Sequence, residues 1–235
     1  MMRAGWSPAT KARIGGALYL AVILCGGFAE IAVRQAVFAP GDAARTSANI
    51  LSHETLYRLG LLADLLPLLF NMALGAVFYD LFRPVNATGA RLVVFFTLAG
   101  SAVQASMLLF HLMPLIVLKS AGLGAFALEQ REALAYLALR LQSNGYNIAL
   151  AFFGCFGLSL GALILKSRFL PRVLGVLMAL AGACYLTNSL LGLVAPQMTS
   201  MLLLIPCLLG EGALTLWLLL AGVNTARWRA QAEAA

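Results

Sequence analysis

Six stretches of this chain are each long and apolar enough to cross a bilayer, and nothing else in the sequence restricts the fold as strongly. Hydrocarbon offers no water to N–H and C=O groups, so an apolar run of about 20 residues must satisfy its backbone internally, as a helix. Such runs fall at roughly 13–38, 55–81, 90–118, 135–165, 172–194 and 200–222. Only 11% of the 235 residues are charged, against about a quarter in a soluble domain. The fold class that follows is all-α, a polytopic bundle of six transmembrane helices forming one domain over 1–235. The fourth run exceeds a span, so its first turns are predicted to stand at or beyond the interface.

The formal charge of +7 does not indicate a nucleic-acid partner, because the bases sit in short connections between apolar runs rather than along one stripe. Ten flank the odd-numbered side: Arg3, Lys11, Arg13, Arg83, Arg91, Lys166, Arg168, Arg172, Arg227 and Arg229. Five flank the other: Arg34, Arg45, Arg58, Lys119 and Arg131, with Arg140 inside the fourth run. The positive-inside bias places both termini in the cytoplasm. Lys11 and Arg13 before an apolar run, with Cys25-Gly-Gly, have the look of an export signal. The run continues to Phe38, which is long enough to span, and is therefore read as a retained first helix.

The connections are short. Pro84 and Pro171 mark tight cytoplasmic turns. Pro40-Gly41 ends the first helix, and Asp42 can cap a short helix over about 43–51. Its few apolar residues predict that it lies on the surface. Ser52 is the expected N-cap of the second span, with Glu54 in the first turn. Gly154, Gly157 and Gly161 form a small-residue stripe, read as helix packing before a dimer face.

No cofactor motif is present. The four cysteines all lie in apolar runs without C-x-x-C spacing, and act as small packing residues. There is no phosphate loop, H-E-x-x-H or G-x-S-x-G. With two histidines, the metal set that composition allows is His111 with Glu30, Asp64 and Glu211, and no metal is expected.

Polar residues inside the runs carry the functional signal, because a charge in hydrocarbon is expensive and marks a pairing or a cavity. At about 1.5 Å per residue, Glu30 lies roughly 24 Å along the first span and Asp64 roughly 13 Å along the second, both in the outer half. His111, Arg140, Asn144, Asn147 and Asn188 also fall in the outer half, and Gln104 and Glu211 near mid-depth. Helical faces are shared by Tyr57, Asp64 and Asn71, by Thr97, Gln104 and His111, and by Arg140, Asn147, Gly154 and Gly161. Glu30 and Arg34 form an i, i+4 pair. Asp64 has no base on its own face, and Arg140 is its expected partner across the bundle. Pro67, Pro114 and Pro206 each free a carbonyl, at Ala63, Phe110 and Leu202, a cost tolerated where polar groups or water can answer it. The expected site is an outward-facing polar cavity lined by Glu30, Asp64, Gln104, His111, Arg140, Asn144, Asn147, Asn188 and Glu211, with contributions from all six helices.

Gly27-Phe-Ala-Glu30, Pro40-Gly-Asp-Ala43, Arg58-Leu-Gly60 with Asp64, Arg83-Pro-Val-Asn86, Gly145-Tyr146 with Phe152-Phe-Gly154, Lys166-Ser167 with Leu170-Pro-Arg172 and Leu174-Gly175, Tyr185-Leu186 with Asn188-Ser189, and Gly210-Glu211 form a set. Taken together, this set resembles the uncharacterised bacterial membrane family known as domain of unknown function 4386, over about 11–223. The resemblance implies a multi-helix protein of the bacterial cytoplasmic membrane and brings no activity with it. Family members often carry His where this chain has Gln142, and His or another ring where it has Phe156.

Three readings follow. The first is binding or transport of a small-molecule ligand in the polar cavity. The second is an accessory subunit, with a membrane-protein partner or a second copy of the chain. The third is an intramembrane enzyme acting on a lipid-like substrate through its carboxylates and His111.

Overall fold

The computed structural model describes residues 6–234, all of whose regular structure is helical. Arg3, counted above among the flanking bases, lies outside the described residues. Among the described residues, six helices are long and apolar enough to cross a membrane: α1 (Pro8–Val37), α3 (Glu54–Phe82), α4 (Ala87–Lys119), α5 (Leu128–Lys166), α6 (Arg172–Val194) and α7 (Leu202–Leu220). The short α2 (Ala43–Ser52) connects α1 to α3, and α8 (Thr225–Glu233) follows α7. The protein is a multi-pass membrane protein. Most exposed large side chains on the spans are Leu, Ile, Val and Phe, the surface a helix shows to lipid.

The described residues fall into two compact units: 6–21, 70–101 and 147–234 in the first, 22–69 and 102–146 in the second. α1, α3, α4 and α5 each contribute residues to both.

In the first unit the glycine stripe of α5 meets a matching set on α6. A Cβ on Gly157 would stand 2.8 Å from Gly182 Cα, and one on Gly182 would stand 2.5 Å from Leu158 N. The two backbones touch, which only residues without a side chain permit. The stripe is therefore an intramolecular seam. Around Phe78 the rings of Tyr19, Phe82 and Phe156 pack at 6.2, 6.0 and 6.4 Å between centroids, within the range of favourable aromatic pairs. α8 is capped by Asn224, whose Oδ1 accepts from Arg227 N at 3.0 Å. It is tied down by Trp228 Nε1, donating to Leu81 O at 2.8 Å.

In the second unit Val37, Ile50, Tyr57, Leu115 and Leu139 form a buried cluster with Phe38 and Leu61 against it. Asp42 caps α2 as its sequence position predicts, accepting from Arg45 N at 2.8 Å. One face of α2 is turned inward, with Thr46, Ser47 and Ile50 buried, while Ala44, Arg45, Ala48, Leu51 and Ser52 on the rest of the helix are exposed. Thr46 Oγ1 accepts from Ala39 N at 3.1 Å, and Asn49 donates to Val37 O at 3.3 Å. One inward face of small polar groups and one Ile is enough to dock a helix this short. Ser52 does not cap α3; its hydroxyl donates back to Asn49 O and so closes α2.

Two prolines lie within their helices, Pro67 in α3 and Pro114 in α4. Pro206 does not. It occupies the first turn of the α-helical part of α7, after a 3₁₀ turn over Met201–Leu204. There the missing N–H has no intrahelical partner to lose, so no kink is needed.

Candidate functional site

The charged cluster of the second unit is built by three helices. In α1 the stretch Phe28–Arg34 is π-helical, following Gly26-Gly27, a pair with low helix propensity. π segments are rare and favour functional sites; this one holds both Glu30 and Arg34. Opposite it, Gly60 on α3 lets α1 approach, since a Cβ there would stand 2.7 Å from Val33 Cγ1. One turn further along α3 comes Asp64.

Arg34 is the hub. Its Nη1 donates to Glu30 Oε2 at 3.2 Å, and its Nη2 donates to both Asp64 oxygens at 2.8 and 2.9 Å. Its guanidinium carbon lies 5.7 Å from the centroid of the Tyr146 ring, a cation–π distance. Asp64 is 5% exposed and His111 2%. His111 Nδ1 lies 2.8 Å from Asp64 Oδ2; a carboxylate only accepts, so Nδ1 carries the hydrogen. Tyr57 braces the same histidine by donating its hydroxyl to His111 O, with the rings edge to face at 4.6 Å. His111 Nε2 is buried and makes no hydrogen bond among the described residues.

Beside this cluster is a cavity of about 400 Å³, all of whose lining belongs to the second unit. Glu30, Arg34, His111, Gln142 and Ser143 supply its polar wall; Val33, Val37, Phe38 and Leu139 its apolar wall; Tyr57 and Tyr146 contribute rings with hydroxyls. The lining comes from α1, α3, α4 and α5 and the start of the α1–α2 connection; no residue of α6 or α7 takes part.

The nine residues expected from sequence separate accordingly. Glu30, Asp64 and His111 meet in the cluster. Gln104 is half-buried on α4 and does not line the cavity. Arg140 and Asn144 are exposed on α5. The assignment of Arg140 as the partner of Asp64 is corrected: the partner is Arg34, from α1. Asn147 and Asn188 belong to the first unit and satisfy one another. Asn188 Nδ2 donates to Asn147 Oδ1 at 3.3 Å, Asn147 Nδ2 to Ser189 O at 3.2 Å, and Ser189 Oγ to Asn147 O at 2.6 Å. That closed ring clasps α5 to α6. Glu211, also of the first unit, faces the hydroxyls of Tyr19 and Tyr185.

Sequence reading did not place Arg34, Gln142, Ser143 or Tyr146 at the cavity, where the structure puts them. Gln142 is 4% exposed, and a polar residue deep in an apolar run was the available signal. Among the described residues no three His, Cys, Asp or Glu side chains are placed to hold a metal ion.

What the arrangement can do chemically is limited and clear. A carboxylate holds one imidazole nitrogen, fixing the ring and leaving the other nitrogen without a partner. That geometry serves hydrogen bonding to a ligand or proton transfer. Arg34 keeps a positive charge between two carboxylates, so a ligand meets opposite charges a few ångströms apart.

Over residues 14–222 the chain matches the family described as "Domain of unknown function (DUF4386)", and it belongs to that family. No curated protein matches it, and no solved structure does.

Proposed function

We propose that this protein binds a small molecule in the second-unit cavity, as the binding step of transport or sensing across a bacterial cytoplasmic membrane. The supporting observation is the buried Arg34–Asp64–His111 cluster set into the wall of a 400 Å³ cavity. That volume lies in the range of small-molecule sites, which combine mostly apolar walls with a few convergent polar groups. A chain needing only stability gains little from a buried ion pair, whose desolvation cost offsets much of its attraction. With both termini in the cytoplasm, as the distribution of bases favours, α2 and the α4–α5 connection lie outside and the cavity belongs to the outer half. The ligand that fits carries both charge and apolar surface. Arg34 and Glu30 take its polar end, and Phe38, Tyr57 and Tyr146 its body.

The test is a thermal-shift screen of amino acids, polyamines and small aromatic acids on the purified protein in nanodiscs, followed by flux in proteoliposomes. Hits are expected to stabilise the wild type and to fail with Ser143→Trp, which fills the cavity, and with Asp64→Asn. A panel without a hit, or hits indifferent to both substitutions, refutes the proposal.

A second reading rests on one observation, the unpartnered Nε2 of a carboxylate-held histidine. It makes the site an intramembrane enzyme acting on a lipid-like substrate, with His111 as the proton acceptor. Incubation with membrane lipids and mass spectrometry of the products tests it: turnover absent in wild type, or undiminished in His111→Gln, removes it.

A further inference from the structure

The first unit contains a cavity that the proposed function does not use. It measures about 410 Å³ and is formed by the α5–α6 connection, the end of α7 and the start of α8. Its walls are held by one backbone and one side-chain hydrogen bond: Asn224 N donates to Phe169 O at 3.2 Å, and Arg168 N donates to the side-chain Oε1 of Gln231 at 3.0 Å. Phe169, Leu170, Trp217 and Val223 give it an apolar and aromatic lining, and Arg168 and Arg227 stand at it with exposed side chains.

Neither guanidinium has an ion-pair partner among the described residues. Nor do Lys166, Arg172 and Arg229, which lie within a few residues of them in sequence. The carboxylates of this unit are Asp80, Glu211 and Glu233. Asp80 is taken by Lys11 at 2.6 Å, Glu211 lies within α7 beside tyrosine hydroxyls, and Glu233, at the end of α8, forms no ion pair among the described residues. The positive charge at this cavity is therefore not neutralised by the protein.

Arg presents a planar fork suited to phosphate oxygens. Trp at the end of a spanning helix is the residue that sits at headgroup level. Two free guanidinium groups above an apolar, Trp-containing hollow match a phosphate attached to acyl chains better than a hydrated free anion. We propose that this cavity binds the phosphate of an anionic phospholipid headgroup, with Arg168 and Arg227 on the phosphate and Trp217 and Phe169 against the glycerol and first methylenes.

The test measures phosphatidylglycerol bound per protein in titrations of phosphatidylcholine nanodiscs, read by lipid mass spectrometry. The Arg168→Gln/Arg227→Gln pair is compared with Arg83→Gln/Arg91→Gln, which removes the same charge from residues that do not line the cavity. Roughly thirtyfold weaker binding is expected for the first pair and under about threefold for the second. Arg168→Lys/Arg227→Lys is expected to recover part of the loss, which separates a charge contact from a folding defect. A parallel arm adds millimolar inorganic phosphate, which is expected to leave the lipid bound. Equal losses in the two Gln pairs, non-saturable binding, no recovery with Lys, or displacement by inorganic phosphate each overturn the assignment; displacement would place a free phosphate in the cavity instead.

Discussion

A double-mutant cycle on Arg34 and Asp64, with Arg140 as the comparison, tests the central contact directly. Asp64 accepts from Arg34 Nη2 at 2.8 and 2.9 Å and lies 2.8 Å from His111 Nδ1. Asp64→Asn preserves shape and removes the charge. Taking one partner from a buried ion pair costs about 3–5 kcal/mol. Arg34 retains Glu30 at 3.2 Å and its side chain is 22% exposed, so the lower end applies, about 3 kcal/mol. Arg34→Gln leaves Asp64 with the His111 contact, and about 2–3 kcal/mol is expected. The double mutant has neither charge stranded, so it should lose less than the sum, giving a coupling of about 2 kcal/mol. Arg140 is exposed, so Arg140→Gln should stay within about 0.5 kcal/mol and show no coupling to Asp64. Unfolding by SDS titration in mixed micelles, with helicity as the signal, measures every corner of both cycles. An Arg34–Asp64 coupling under about 0.5 kcal/mol, or an equal one for Arg140–Asp64, would refute the geometry and the reasoning built on it.

Gly182→Val on α6 should destabilise by about 3 kcal/mol or more, since a Cβ there would stand 2.5 Å from Leu158 N and backbone atoms cannot step aside as a side chain can. Gly26→Ala, where nothing lies within 4 Å, should be neutral or stabilising in the same SDS titration. Asp42→Ala removes the cap on Arg45 N and should cost about 1 kcal/mol; it should show as faster hydrogen exchange confined to α2, and unchanged exchange there would contradict the cap.

Much of the fold was legible because the bilayer leaves few choices. An apolar run without charges has to be a helix, so number, type and approximate limits of the spans could be read from residues alone. The cap on α2 was legible too, since Asp at that position answers an N–H three residues on. The Gly157 and Gly161 stripe announced close helix packing, although which helix it meets was not written in α5. The candidate site was legible in part. Glu30, Asp64 and His111 stood out as polar residues in apolar surroundings, and they do meet.

The partner of Asp64 was not legible, and the reason is geometric. Which side chains face one another across a bundle depends on the rotation of each helix about its axis. A 3.6-residue period fixes faces only relative to others on the same helix. α1 departs from that period over Phe28–Arg34, where the wider turn resets the direction of every side chain after it. A reading of sequence spacing therefore gave Arg34 to Glu30 alone, whereas the structure shares it with Asp64. The same limit explains Asn147 and Asn188, polar in the right places yet consumed by each other through Ser189. By itself, the chain determined that this protein is a six-helix membrane protein with charges it must shelter, because hydrocarbon penalises every alternative. Tertiary structure alone decided which charges shelter together, because that depends on helix rotation and approach, set here by a π turn in α1 and a missing side chain at Gly60.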